Sequence, residues 1–130
     1  MDPQADLTPN PWDAACPSRE LLALIGDKWV LLLLPKLAEG PKRNGELLRA
    51  LDGVSQKMLT QTLRAMERDG LVARRDFGEV PPRVEYELTA LGRSLAEPVA
   101  ALDRWVVEHF RAVERARRED HAAPGTRPRR

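Results

Sequence analysis

The stretch VSQKMLTQTLRAMERDG, residues 54–70, predicts a single amphipathic helix. Ser55 can cap the first free N–H groups, and Gly70 can adopt the left-handed conformation that ends a helix. Its apolar side is formed by Leu59, Leu63 and Met66, which are spaced i, i+4 and i+7. This spacing places one side of the helix against a core and leaves the other side for solvent or a partner.

The opposite face of this helix is polar. Its side chains are cationic or can both donate and accept hydrogen bonds, as base edges in a DNA major groove require. The simpler alternative is the solvated face of an ordinary amphipathic helix. The members of this face are Lys57, Thr60, Gln61 and Arg64.

The flanking segments favour a helix-turn-helix. A short helix is predicted over residues 44–51, and Asp52-Gly53 is a strong turn signal before the longer helix. After Gly70 the period changes to two, which predicts strands over residues 71–76 and 83–88 around a proline-containing loop. A helix-turn-helix followed by a hairpin is a winged helix. The side chains predicted on one strand face are Leu71 and Ala73, then Val84, Tyr86 and Leu88.

Two helices are predicted before this unit. The first begins at Pro17 with Cys16 at its cap, and Asp27 caps the second, which runs from Lys28 to about Ala38. Pro35 should kink the second helix or stop it early.

A long last helix is predicted from Thr89 to Ala116, kinked or split at Pro98. Its apolar seam outruns a domain of this size, so we expect a dimer interface, with folding back onto the core as the alternative. The seam comprises Leu91, Leu95, Val99, Leu102, Val106, Phe110 and Val113, broadened by Ala101 and Trp105.

The 130 residues suit one mainly α domain with a small β-hairpin: a winged helix-turn-helix with an N-terminal helix and a long C-terminal dimerisation helix. We expect residues 1–15 to form a flexible arm, residues 16–110 the DNA-binding and dimerisation domain, and residues 111–130 the helix end and a basic disordered tail. Trp12 could anchor the arm on its own core or on a partner chain.

Charge is distributed unevenly. Residues 41–64 carry a net charge of +3 and residues 111–130 of +4, which suits an anionic partner. One cysteine excludes an internal disulfide and favours a cytoplasmic location, and no signal peptide or membrane span is expected. His109 and His121 have no Cys or carboxylate partners that suggest a metal or catalytic site, so no enzyme activity or cofactor is expected.

Seven short motifs occur in order over about residues 16–110, and together they resemble the HxlR-type winged-helix regulators of bacteria. The motifs are CP at 16–17, LIGDKW at 24–29, GELLR at 45–49, SQKMLTQ at 55–61, DGLV at 69–72, VPPRVEY at 80–86 and LTALG at 88–92. Asn44, where the family usually has an aromatic residue, and Pro35 depart from the pattern.

The resemblance implies a homodimeric transcriptional regulator, most commonly a repressor, that binds a palindromic operator in double-stranded DNA. It also implies an interface built from the terminal and N-terminal helices, with Leu21, Leu95, Val99, Leu102, Trp105, Val106 and Phe110 as candidates.

Two copies of the residue 55–70 helix would enter successive major grooves about 34–36 Å apart. Candidate reading or phosphate-contacting residues are Gln56, Lys57, Thr60, Gln61 and Arg64, with the Ser55 hydroxyl on a phosphate. Further backbone candidates are Lys28, Lys42 and Arg43, and Arg83 could contact the minor groove or a phosphate. For each lone cation the alternative is simple solvation.

The source of a regulatory signal is open. Some members of such families sense oxidants or electrophiles through a cysteine matching Cys16, whose thiolate a helix N-terminus and Arg19 would favour. The alternatives are a structural Cys16 and a small-molecule pocket at the dimer interface between Trp29, Leu33, Trp105 and their neighbours. A winged helix that contacts only other proteins is the remaining interpretation of the whole chain.

Overall fold

The computed structural model describes residues 8–122. It is mainly helical, with a small antiparallel sheet and a long last helix, which confirms the predicted winged-helix class. The elements are α1 Ser18–Ile25, α2 Lys28–Ala38, β1 Lys42–Arg43, α3 Asn44–Ala50, α4 Gln56–Arg68, β2 Val72–Asp76, β3 Val84–Leu88 and α5 Ala90–Ala122.

Helix α4 lies against the core as the spacing of its apolar residues predicts. Leu59, Leu63 and Met66 are all buried. The Ser55 hydroxyl accepts a hydrogen bond from the Met58 N–H at 3.0 Å, and Gly70 has a φ of +78° after the last turn. The remaining core comes mostly from α2, α3 and the strands: Val30, Leu33, Leu34, Leu37, Leu47, Leu51, Leu71, Val72, Leu88 and Val99.

The sheet has three strands rather than the predicted two, in the order β1-β3-β2. Strand β1 pairs Lys42 with Tyr86 and Arg43 with Glu85 of β3. A two-residue strand has too few positions for an alternating pattern, so the sequence gives no sign of it. Its pairing nevertheless fixes the start of α3 beside the wing.

The predicted face of the first strand was wrong. Leu71 and Val72 are both buried, whereas Ala73 is half-buried. Leu71 lies in the turn before β2, where its N–H donates to Met66 O and its carbonyl accepts from the Thr89 N–H. Side-chain alternation therefore begins at Val72.

Neither internal proline ends its helix. Helix α2 continues through Pro35 to Ala38, which excludes the predicted early stop. Helix α5 continues through Pro98 without a split and reaches Ala122, beyond the predicted end at Ala116. A proline removes one backbone hydrogen bond. In both helices the remaining turns outweigh that loss.

The N-terminal segment forms turns before α1. The Asp13 N–H donates to Asn10 O at 3.1 Å, and the Cys16 N–H donates to Asp13 O at 3.0 Å. Trp12 is 90% exposed, so it does not anchor this segment on the protomer's own core. The start of the predicted arm, residues 1–7, and the predicted tail beyond Ala122 lie outside the described residues. No helix among residues 8–122 is long and apolar enough to cross a membrane.

Candidate nucleic-acid interface

The outward face of α4 gathers the side chains that the sequence placed there. Gln56, Lys57, Gln61 and Arg64 are exposed, and Thr60 is half-buried between them and the core. Because the opposite face of α4 is buried, these five side chains form one polar surface of a fixed helix. We refer to them as the α4 face.

Cations on and near the α4 face are not neutralised by acidic neighbours. Among residues 8–122, Lys57, Arg64, Lys28 and Arg43 take part in no ion pair. Lys42 differs, because its ammonium lies 3.4 Å from a carboxylate oxygen of Glu39. The first four residues keep their full charge for an anionic partner, and Lys42 is the weaker candidate.

Ser55 has two compatible roles. Its oxygen accepts from the Met58 N–H as the cap of α4, which leaves the hydroxyl hydrogen free. That hydrogen can donate to an anion at the helix N-terminus, where unpaired N–H groups already favour negative charge.

Arg83 is engaged within the wing in this structure, and its predicted contact with DNA stays a prediction. Its guanidinium donates to Glu85 Oε2 at 3.2 and 3.3 Å and lies 3.7 Å from Glu79. It also stacks over the Phe77 ring, 4.2 Å from the centroid. Arg83 therefore holds the wing loop together, and the wing places two carboxylates around it.

The sequence did not predict a contact between Asn44 and the α4 face. Its Nδ2 donates to Gln56 Oε1 at 2.7 Å, and Gln56 Nε2 donates back to Asn44 Oδ1 at 3.1 Å. Gln56 Nε2 also donates to Thr60 Oγ1 at 2.9 Å. The only sequence signal was the departure from an aromatic residue at position 44, because the pairing itself depends on how α3 meets α4.

Cys16 lies just before α1, and its thiol does not cap the helix. The sulfur lies 3.1 Å from Ser18 Oγ and accepts from the Asn10 N–H at 3.4 Å. The Ser18 hydroxyl, followed by the backbone hydrogen bonds, lowers the pKa of Cys16, and desolvation, followed by the charge of nearby Asp13, opposes this. Arg19 is not a cause: its guanidinium instead donates to backbone carbonyls at residues 11 and 12.

The apolar seam of α5 divides into a buried and an exposed part. Val99 belongs to the protomer's own core, so it is not available as the predicted interface residue, and Leu95 is half-buried. Beyond them, the exposed fractions lie between 47% and 51% for Leu102, Trp105, Val106 and Phe110. Leu21 of α1 is also exposed.

An apolar cavity of about 260 Å³ lies between α1 and α5. Its walls include Leu21, Ile25, Leu71, Leu91, Leu95 and Pro98, with Asp69 and Ser94. Within one protomer, Leu33 is fully buried and Trp105 stacks on His109 at 4.6 Å, and the pocket predicted at the dimer interface stays a prediction.

Comparisons with known proteins agree with the winged-helix architecture. Residues 24–114 match the model of the HxlR-like helix-turn-helix family. The HTH-type transcriptional regulator YtfH of Escherichia coli is 48% identical over 91 residues, covering 70% of this chain and 72% of YtfH.

Two solved structures are similar in fold. The transcriptional regulator ytfH from Salmonella typhimurium has a TM-score of 0.81 and 40% identity, covering 85% of this chain and 99% of that one. The redox regulator HypR in its reduced form has a TM-score of 0.70 and 38% identity, covering 75% of this chain and 97% of that one. With the winged-helix architecture and the matched family model, this chain belongs to the HxlR-like helix-turn-helix family of transcriptional regulators.

Proposed function

We propose that this protein is a sequence-specific double-stranded DNA-binding regulator that acts as a homodimer and represses transcription. The observation that carries the proposal is the α4 face: exposed amide and cationic side chains on a helix whose opposite side is locked in the core. Such a face can satisfy base edges and phosphates at once.

Each protomer would insert α4 into a major groove of a palindromic operator. Residues near the N-terminus of such a helix approach the base edges. We therefore assign recognition of the bases to Gln56, Thr60 and Gln61. Lys57 and Arg64 would contact phosphates or bases, with Ser55 donating to a phosphate. Lys28 and Arg43 would contact the DNA backbone on either side.

The exposed part of the α5 seam supports a dimer. Leu102, Trp105, Val106 and Phe110 form an apolar strip along a helix that extends past the core. A strip of this kind rarely stays in contact with water in a soluble protein. A second copy of the chain, related by a two-fold axis, would cover it and set the spacing of the two α4 helices.

The proposal is tested with a duplex selected by the wild-type protein from a random library. We expect Lys57→Ala and Arg64→Ala each to weaken binding and, where a phosphate contact is lost, to reduce the salt-dependence slope by about one. Arg104→Ala is the matched control. Arg104 is an exposed residue of α5, and the substitution removes the same charge away from the α4 face.

Unchanged affinity of both α4 variants in a gel-shift titration would remove these residues from the mechanism. If the wild-type protein selects no duplex and shows no salt-dependent affinity, the chain is instead a winged helix that contacts proteins.

A second candidate function, oxidant sensing at Cys16, is favoured by the lowered pKa of its thiol and by the likeness to the redox regulator HypR. A peroxide would oxidise the thiolate to sulfenic acid and be reduced to water or an alcohol. Operator affinity should then fall after peroxide treatment of the wild-type protein and stay constant in Cys16→Ser. An identical response of both proteins would exclude Cys16 as the sensor.

A further inference from the structure

Asn44, the first residue of α3, is joined to the α4 face by a reciprocal pair of amide hydrogen bonds with Gln56. We propose that Asn44 is a specificity-determining positioning residue that fixes the Gln56 amide for reading one base pair. The inference rests on the proposed DNA binding and adds a residue outside the α4 helix to its reading surface.

The hydrogen-bonding capacity of Gln56 is largely used within the protein. A primary amide has two N–H donors and an oxygen with two lone pairs. The two donors of Gln56 face Asn44 Oδ1 and Thr60 Oγ1, and one lone pair of Oε1 accepts from Asn44 Nδ2. One acceptor site on Oε1 remains for a partner.

This arrangement changes what Gln56 can recognise. A free glutamine reads adenine by donating to N7 and accepting from N6 together. In this orientation of the two amides both donors are committed, so Gln56 can only accept, which selects the exocyclic amino group of adenine or cytosine. The Thr60 hydroxyl accepts from Gln56, so its own hydrogen is free to donate to an acceptor on a neighbouring base pair.

A concerted rotation of both amides preserves the Asn44–Gln56 pair, and it turns the free group of Gln56 from an acceptor into a donor. The coupling between Asn44 and Gln56 is the same in both orientations. The base that is preferred reports which orientation the pair adopts on DNA.

The Asn44–Gln56 hydrogen bonds also hold the Gln56 side chain in one orientation before DNA binds. An exposed glutamine loses side-chain rotamer entropy when it becomes ordered in an interface. Contacts on two sides, to α3 through Asn44 and within α4 through Thr60, impose that order in the free protein. Preorganisation of this kind strengthens binding and sharpens the choice of base.

The test is a double-mutant cycle on the duplex that the wild-type protein selects from a random library. Affinities of wild type, Asn44→Ala, Gln56→Ala and the double variant are measured by fluorescence anisotropy against every single-base-pair substitution of one half-site. We expect Asn44→Ala to reduce discrimination at one base pair by about three- to tenfold. Gln56→Ala should reduce discrimination at the same base pair, and adding Asn44→Ala to that variant should cause no further loss of discrimination.

Lys57→Ala is the matched control. No hydrogen bond or ion pair among the described residues joins Lys57 to Asn44. Its loss should lower affinity without changing discrimination at the base pair that Gln56 reads, and it should be additive with Asn44→Ala. Asn44→Leu, which keeps the side-chain shape and lacks the amide, repeats the test if Asn44→Ala does not show a cooperative thermal melt.

A uniform loss of affinity in Asn44→Ala at every base pair, or effects additive with Gln56→Ala, would overturn the inference and leave the proposed function standing. Failure of the wild-type protein to select any duplex would instead overturn the proposed function itself.

Discussion

At Gly92, the close approach of α5 to the segment before β2 leaves no room for a side chain. A Cβ there would overlap the Leu71 carbonyl oxygen and lie 3.1 Å from Leu88 Cδ2. The Leu71 carbonyl cannot move freely, because it also accepts from the Thr89 N–H. We expect Gly92→Ala to lower the free energy of unfolding by about 1–3 kcal/mol, measured by urea denaturation.

Gly45→Ala is the control for this substitution. A Cβ at Gly45 would meet only the mobile end of the Arg49 side chain, at 3.4 Å. Its helical position should make alanine neutral or stabilising by up to about 1 kcal/mol. Equal destabilisation by both substitutions would show that the Leu71 contact does not decide the result.

The pKa of Cys16 is lowered first by the Ser18 hydroxyl. Hydrogen bonding to the thiolate favours the charged form, so the reactive species is present at lower pH than for an ordinary cysteine. We expect Ser18→Ala to move the pH midpoint of iodoacetamide alkylation upward, with Arg19→Ala leaving it in place. A midpoint that stays constant in Ser18→Ala would contradict this account.

Individual contacts were the least predictable features. The sequence identified the polar residues of α4 because helical spacing alone collects them on one face. It did not pair Asn44 with Gln56 or Arg83 with Glu79 and Glu85, because these contacts depend on how two segments meet. For Arg83 the structure adds a role in holding the wing together, and its contact with DNA stays a prediction.

Among the elements, α4 was predicted best because its cap, its apolar spacing and its terminal glycine agree with one another. We expect Ser55→Ala to destabilise the protein by about 1 kcal/mol, since the Met58 N–H loses its partner. Ser94→Ala is the control, because among residues 8–122 the Ser94 hydroxyl bonds only to the Leu91 carbonyl within α5. Thermal melts with equal shifts for both variants would argue against a special role of the cap.

Strand β1 and the extent of α5 were predicted poorly. Strand β1 exists because β3 offers it an edge, and nothing in Lys42-Arg43 alone favours a strand. For α5, proline and the charged residues after Ala116 argued for breaks. The helix nevertheless continues to Ala122. Arginine, glutamate and alanine are good helix formers, and Glu114 pairs with Arg118 one turn later.

For the whole molecule, the exposed strip of α5 predicts the oligomeric state. We expect Phe110→Glu to convert the proposed dimer to a monomer, since a carboxylate would have to be buried without a partner. Sedimentation velocity at several concentrations measures this. Val107→Glu is the control, because Val107 is 79% exposed and lies off the seam. A dimer that survives Phe110→Glu would place the interface elsewhere.

We propose that a dimer places its two α4 helices in successive major grooves on one face of the operator duplex. A hydroxyl-radical footprint on the selected duplex tests it most directly. The account predicts two protected segments related by two-fold symmetry, about 10–10.5 base pairs apart from centre to centre. A single protected segment, or uniform cleavage along the duplex, would contradict it.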